Sequence, residues 1–412
     1  MAALRLDRKE KAGIALILLV MLLAVVPMHL LVPPEKAANW NYLPYWNDYP
    51  KNARPIWLPS GFRTLESAGT NFSMTFTVDG IVPGNVMIEG NSTVRLVIHR
   101  PDGLSVVLGP VEVNGRTSIN SNPTLAAGAY EFAESLGYGP ESRPLFTPTQ
   151  LLFMGYGGEV LEGRYTLEVE SSSPVAVTVF GDSYGLLGTD SYGRDLWVGF
   201  VLAGRSTLLV SLEVSLLVMI IGLLLGLFAG YYRSRPAILL ESLLNSLGAL
   251  PVLPLAMLMI FSFSTTGIAM TREIGTGTLS LILALLLAGK FGSAVRGFVV
   301  QEKVREHVAA ARALGAGDLY ILRRHILKPV IPYALSHFSL LFPKVVALVA
   351  ILGFFNMIPS DNWGSFILEG LNQGALYAGR WWWFLAPVVT MVLLSVGFAL
   401  LWDDDGPEGV LA

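Results

Sequence analysis

Charge is missing from long stretches of this chain, and that absence limits what it can fold into. No Asp, Glu, Lys or Arg occurs from Ala12 to Pro34, from Ser242 to Thr271, or from Trp381 to Trp402. Three further runs carry one charge each: Ser206–Gly230 with Glu213, Ile274–Val295 with Lys290, and Pro329–Ser360 with Lys344. A soluble core has no use for six such runs. A helix of about 20 apolar residues crosses the ~30 Å hydrocarbon layer of a bilayer. Only 14% of the 412 residues are charged, against roughly a quarter in an ordinary soluble domain. The reading is a polytopic α-helical membrane protein with six transmembrane helices. The first run is too long for a signal peptide and has no small-x-small site after Pro27, so it is expected to remain as an anchor.

Basic residues orient the spans. Arg5, Arg8, Lys9 and Lys11 precede the first run, and Arg233 and Arg235 follow the second. Residues 296–328 hold seven basic and three acidic residues, whereas Arg272 and Arg380 stand alone in the opposite loops. The positive-inside rule then places the N-terminus, the 231–236 turn and the 296–328 loop in the cytoplasm, and six crossings return the acidic tail, 403–412, to that side. A multi-pass protein of the plasma membrane is expected, with residues 35–195 extracytoplasmic.

Those 161 residues carry 17 acidic and 10 basic side chains. They read as β-rich. Phe72–Val78 alternates, Val94–His99 runs into a Pro101-Asp102-Gly103 turn before Ser105–Leu108, and Tyr165–Val169 and Val175–Phe180 flank a Ser-Ser-Ser-Pro connection that predicts a hairpin. A small β-sandwich between the first two transmembrane helices follows. Zero cysteines exclude disulfides, thiol catalysis and Cys-ligated zinc. The five histidines show no metal spacing, and a net charge of −3 offers nothing to nucleic acid. Asn71-Phe72-Ser73 and Asn91-Ser92-Thr93 match the glycosylation acceptor pattern.

The cytoplasmic loop carries the most information. Val299–Leu314 is rich in helix formers, with Val300, Val304, His307, Val308, Ala311 and Leu314 on one face. Gly315 can end that helix in a left-handed conformation. Gly317-Asp318 offers a cap for a second helix over Leu319–Leu327. A short helix with an apolar face and charged flanks suits a groove on a partner protein.

This loop resembles the EAA loop of ABC importer permeases, and within them the dipeptide/oligopeptide permeases. The resemblance rests on Ala310-Ala311-Arg312-Ala313-Leu314-Gly315-Ala316, Asp318-Leu319 and Arg324-His325-Ile326-Leu327. It rests equally on Gly188, Asp190, Gly193, Arg194 and Asp195 before the second span, and on Trp363-Gly364 with Glu369-Gly370 after the fifth. It covers residues 186–402 well and 1–34 weakly. Two positions depart from the family pattern: Ala309 replaces the usual glutamate, and Lys328 stands where a proline is usual.

The resemblance implies a type I importer permease fold. The organisation is then a cytoplasmic N-terminus and first helix (1–34), an insert (35–185), a permease core (186–402) with its coupling loop, and the tail. It also implies partners: a second permease subunit in a heterodimer, two ABC ATPase subunits, an extracytoplasmic substrate-binding protein, and membrane lipid. ATP and Mg would be bound by the ATPases and no cofactor by this chain, which has no phosphate-binding loop: Gly289-Lys290 is followed by Phe291. The substrate implied is a peptide, with an oligosaccharide as the alternative. Ala309, Ala310, Ala311, Arg312, Gly315, Asp318 and His325 would meet an ATPase.

Other readings stay open on the residues alone. A receptor would need a cytoplasmic signalling domain, and the longest cytoplasmic segment is only about 33 residues by the spans above. A secondary transporter would show internal repeats with broken helices, and none is visible. Pro251 and Pro254 are candidates for a kink beside the pathway. Glu213 and Lys344 fall at similar depth in the outer half and are expected to pair or to line the outer mouth. Trp381-Trp382-Trp383 reads as an interfacial belt or a stacking surface, and Trp40, Tyr42, Tyr45, Trp46, Tyr49 and Trp57 as packing or docking residues. The insert itself is a docking platform, a lid or a scaffold.

Overall fold

The structure is a computed structural model that describes residues 7–58, 62–139, 146–264, 275–358 and 361–401. The acidic tail and Arg272 lie outside these. Helix α1 runs Arg8–Val25, with Asp7 and Glu10 forming a capping box at its start. It stops at Val26, which is extended before Pro27. The expected span to Pro34 is therefore shorter. Ala12–Val25 is 14 uncharged residues, about 21 Å of helix, and two short helices follow, α2 (Met28–Leu31) and α3 (Pro34–Ala38).

Residues Met28–Gly199, with Gln373–Trp383, form one compact unit. Its sheet comprises β1 (Leu65–Gly69), β2 (Phe72–Val78), β3 (Asn85–His99), β4 (Ser105–Ser118), β5 (Gly163–Ser171) and β6 (Val175–Phe180), all antiparallel. The alternation of Phe72–Val78 places Met74, Phe76 and Val78 inward. The predicted β5–β6 hairpin does not form. Both strands pair with β3 instead, β5 along Val94–His99 and β6 along Asn85–Glu89. Gly90 lies between those stretches at φ 151° and faces Gly115 at φ 90° across the β3–β4 ladder. Two glycines opposite one another let both strands bend, so β3 serves two half-sheets. Ile88, Leu96, Leu108, Tyr165 and Val177 fill the core, closed by α4 (Pro123–Ser135) through Leu125 and Ala129, and by Phe153 after α5 (Pro148–Leu151).

The turn after β3 holds a buried charge. The Arg100 side chain is fully buried and donates to the Asp102 carboxylate at 2.8 Å and to the carbonyls of Leu152 and Met154. Burial alone would raise the Asp102 carboxyl. The Arg100 hydrogen bonds, the Leu104 N–H and the Arg100 charge outweigh it and hold the group below its usual range. A depressed carboxylate contributes stability above its unfolded pKa and loses it as pH falls through the folded one. Asp102→Asn is thus expected to cost about 2–3 kcal/mol at neutral pH by stranding a buried cation. The gap to wild type should close at acid pH, below about 3.8. Denaturant melts at two pH values check this, and a pH-independent difference would contradict it.

The second unit, Met1–Pro27 with Phe200–Asn372 and Phe384–Ala412, is helical. After α1, whose Gly13 packs on Gly397, it takes in most of α6 (Leu196–Tyr231), then α7 (Arg235–Ala249), α8 (Val252–Ser264) and α9 (Thr276–Lys303). Next come α10 (Glu306–Ala313), α11 (Asp318–Ile321), a π-helical turn over Leu322–Ile326, α12 (Leu327–Phe354), α13 (Trp363–Asn372) and α14 (Trp381–Ala399). Among the described residues four helices are long and apolar enough to cross a membrane: Leu196–Tyr231, Thr276–Lys303, Asp318–Phe354 and Trp381–Ala399. The pair α7 and α8, bent by 96°, makes five if it counts as one span. That count differs from six because α1 begins with four consecutive charged residues and ends at the Val26-Pro27 break.

Candidate functional site

The segment joining α9 to α12 is built by three interruptions of one helical path. The expected helix over Val299–Leu314 is two pieces: α9 carries its first residues as far as Lys303, and Arg305 is extended. Glu302 organises the break. Its carboxylate, only 3% exposed, accepts from Arg305 Nε at 2.9 Å and lies 3.4 Å from His307 Nε2. Glu302 lies off the predicted apolar face, yet it is buried. The spacing to Arg305, three residues on, is the one signal that could have found it. Helix α10 then ends in a Schellman turn, with Ala316 N bonded to Ala311 O and Gly315 at φ 85°. Gly317 caps α11, not Asp318. Asp318 is the first helical residue, and its carboxylate accepts from the Tyr231 hydroxyl at 2.7 Å.

Ala309 and Ala310 are exposed on α10, Ala311 is half-buried, and Arg312 approaches Asp318 at 3.8 Å across the Gly315 turn. His325 sits in the π-helical turn with its ring 5.7 Å from His307 and 5.9 Å from Tyr320. Of the predicted apolar face, Val308 is buried. Val304 is 75% exposed and Leu314 89%, and Leu319 beyond the turn is 76% exposed. Large apolar side chains are thus exposed at both ends of α10 and just past the Gly315 turn.

The motif before α6 lies in the other unit and is a buried clasp. Asp190 accepts from Arg194 Nε at 2.7 Å, from the Tyr192 and Arg194 amides, and from Gln373 Nε2 at 3.3 Å. The Arg194 guanidinium lies over the Trp40 ring at 4.5 Å. Gly188 and Gly193, at φ 75° and 90°, bring the backbone against the Ala53 and Trp46 carbonyls, where a Cβ would clash. Asp195 accepts from the Trp197 amide at the start of α6 and pairs with Lys36 at 3.4 Å. Burial pushes its carboxyl above the usual range against the pull of Lys36. Trp40, Trp46 and Tyr49 are buried here as packing residues, while Tyr42 and Trp57 are exposed. Trp381 is exposed beside Trp57, at 5.8 Å, and Trp383 is buried.

The pathway candidates lie on or beside α6, α8 and α12. Leu250 is extended before Pro251, and this is where α7 and α8 diverge; Pro254 lies in the first turn of α8. Glu213 on α6 and Lys344 on α12 are both exposed, and no ion pair joins them among the described residues. Asn71 and Asn91 are exposed, but each side-chain oxygen accepts a backbone N–H, from Ser171 and Gly115. Among the described residues no cluster of three His, Asp or Glu could hold a metal ion.

Residues 222–403 match the family model described as binding-protein-dependent transport system inner membrane component. The di/tripeptide transport system permease protein DppC of Pseudomonas aeruginosa is 29% identical over 221 residues, 52% of this chain and 68% of that protein. The dipeptide transport system permease protein DppC of Bacillus subtilis is 28% identical over 221 residues, covering 52% and 65%. A chain of the MetNI methionine ABC transporter, solved in inward-facing conformations, is similar over 49% of this chain and 94% of its own, at 14% identity and a TM-score of 0.35, a likeness that carries no argument. The family match falls on the helices that hold the interrupted segment and the Trp363-Gly364 packing, so this part of the chain is similar to the inner membrane components of binding-protein-dependent transport systems, as it is to the two peptide permeases.

Proposed function

We propose that this chain forms half of the translocation pathway of an ATP-driven peptide importer in the plasma membrane, beside a second permease subunit. Two ATPase subunits bind ATP and Mg and engage the segment from Val304 to Tyr320, and an extracytoplasmic binding protein delivers the peptide. The membrane-embedded helices number six with α1 and a spanning α7–α8 pair included. Both termini are cytoplasmic and residues 35–195 are outside. The observation that carries the coupling assignment is the exposure of Val304 and Leu314 at the two ends of α10 and of Leu319 past the Gly315 turn, because exposed apolar surface marks a protein contact. Closure of the ATPases would push on α10 and, through the Glu302 and Asp318 contacts, tilt α9 and α6, exposing the pathway to one side and then the other.

The test is a set of substitutions that leave the membrane helices untouched. Leu314→Asp is expected to lower copurification of the ATPase at least about tenfold, as loss of a central apolar contact does. Arg312→Glu, and a bulky side chain at Ala311, should uncouple ATP hydrolysis from transport while the complex still assembles. Wild-type transport by all three variants would remove this contact from consideration.

A further inference from the structure

Arg233, Arg296, Lys303 and Arg312 line one cavity of about 800 Å³, together with the carboxylates of Glu241 and Asp318. Four cations against two anions leave an excess of two positive charges. The carboxylates are already engaged. Glu241 pairs with Arg296 Nη2. Asp318 takes the Tyr231 hydroxyl at 2.7 Å, leaving Arg312 at 3.8 Å, too far for a hydrogen bond. Lys303 Nζ donates to the Tyr231 carbonyl at the end of α6, where a helix terminus favours a cation. Three sets of donors remain. Arg296 Nε is buried with no hydrogen-bond partner. Arg233 is exposed with no ion pair among the described residues, and Arg312 is half-exposed beside it in the cavity lining.

Guanidinium groups present N–H pairs in the fork geometry that matches phosphate oxygens. We propose that this cavity binds a phosphate group through Arg233, Arg296 and Arg312, with Lys303 adding charge. Its source is inorganic phosphate or the headgroup of an anionic phospholipid. Ile238 and Val300, exposed at the same cavity, are apolar surface that only the lipid would use. A bound phosphate would bridge α9 to α10 and to the turn between α6 and α7, and stiffen them. That consequence rests on the proposed coupling role, whereas the binding does not.

The experiment uses the full chain. Inorganic phosphate binding is read by phosphorus NMR line broadening in detergent. Lipid binding is read by native mass spectrometry after release from nanodiscs of phosphatidylglycerol or of phosphatidylcholine. Arg233→Gln and Arg296→Gln should each weaken binding about fivefold, the worth of one basic side chain at an anionic headgroup. Lys328→Gln, outside the cavity, should leave it unchanged. Retention of phosphatidylglycerol over phosphatidylcholine without phosphate broadening assigns the site to lipid, and broadening by phosphate alone assigns it to the free anion. Binding of neither probe, or equal losses in Lys328→Gln, overturns the proposal. No ATPase is present in these measurements, so failure of the coupling assignment would not mimic failure of this one.

Discussion

Replacing Gly364 by alanine is expected to unfold the packing of α13 on α12, at a cost of about 3 kcal/mol or more. The added Cβ would fall inside the van der Waals radii of the Ala350 carbonyl oxygen and the Phe354 amide nitrogen. Both are backbone atoms of α12, so no rotamer change makes room. The neighbouring Trp363 is fully buried. Its amide donates to the Thr207 hydroxyl at 2.9 Å and its indole to the Phe200 carbonyl at 3.3 Å, so displacement of α13 also disturbs α6. Gly353 faces the same crossing from the α12 side, where a Cβ would strike Asn362. Gly277→Ala is the control, since nothing lies within 4 Å of a Cβ there. Thermal unfolding of the purified chain should show a lower midpoint and yield for Gly364→Ala, with Gly277→Ala at wild type. An unchanged midpoint for Gly364→Ala would mean that the close crossing is not formed.

Asp190→Asn is expected to destabilise the β-rich unit by about 3–5 kcal/mol, the range for a buried ion pair that loses one partner. Asp190 is fully buried and Arg194 nearly so. The carboxylate satisfies the Arg194 side chain, two backbone amides and the Gln373 amide at once. An asparagine in its place donates where the site supplies only donors, and it leaves the guanidinium uncompensated. Arg194→Met should be comparably harmful. The double variant should lose much less than the sum, because no lone charge is left inside. Limited proteolysis of residues 28–199 and denaturant melts read the effect. Additive losses would show that the two side chains act separately.

The departures from expectation share one cause. The Tyr165–Val169 and Val175–Phe180 runs are strands as their alternation implies, yet their pairing depends on a strand far away in the chain, β3, which the bend at Gly90 divides between them. The helix over Val299–Leu314 has the right composition, but Glu302 finds Arg305 and His307 and breaks it. The aromatic cluster after Pro34 could pack or dock, and only the folded unit places Trp46 in its interior, its carbonyl against Gly193, and the Trp40 ring under Arg194.

The sequence by itself determined where apolar helices lie, that a β-rich segment separates α1 from α6, and that the motifs around Asp190, Gly315 and Gly364 resemble in their order those of importer permeases. Those features are local. They depend on runs of uncharged residues, on alternation, and on glycine at positions that need a left-handed turn or a close approach. Tertiary structure decided which strands pair, where α9 ends, that Glu302 and not the flanking charges is buried, and which cations share the cavity at Arg296. These depend on contacts between residues distant in the chain, whose energies are set by burial and by what each polar group finds as a partner. A periodicity in one segment contains no information about that partner.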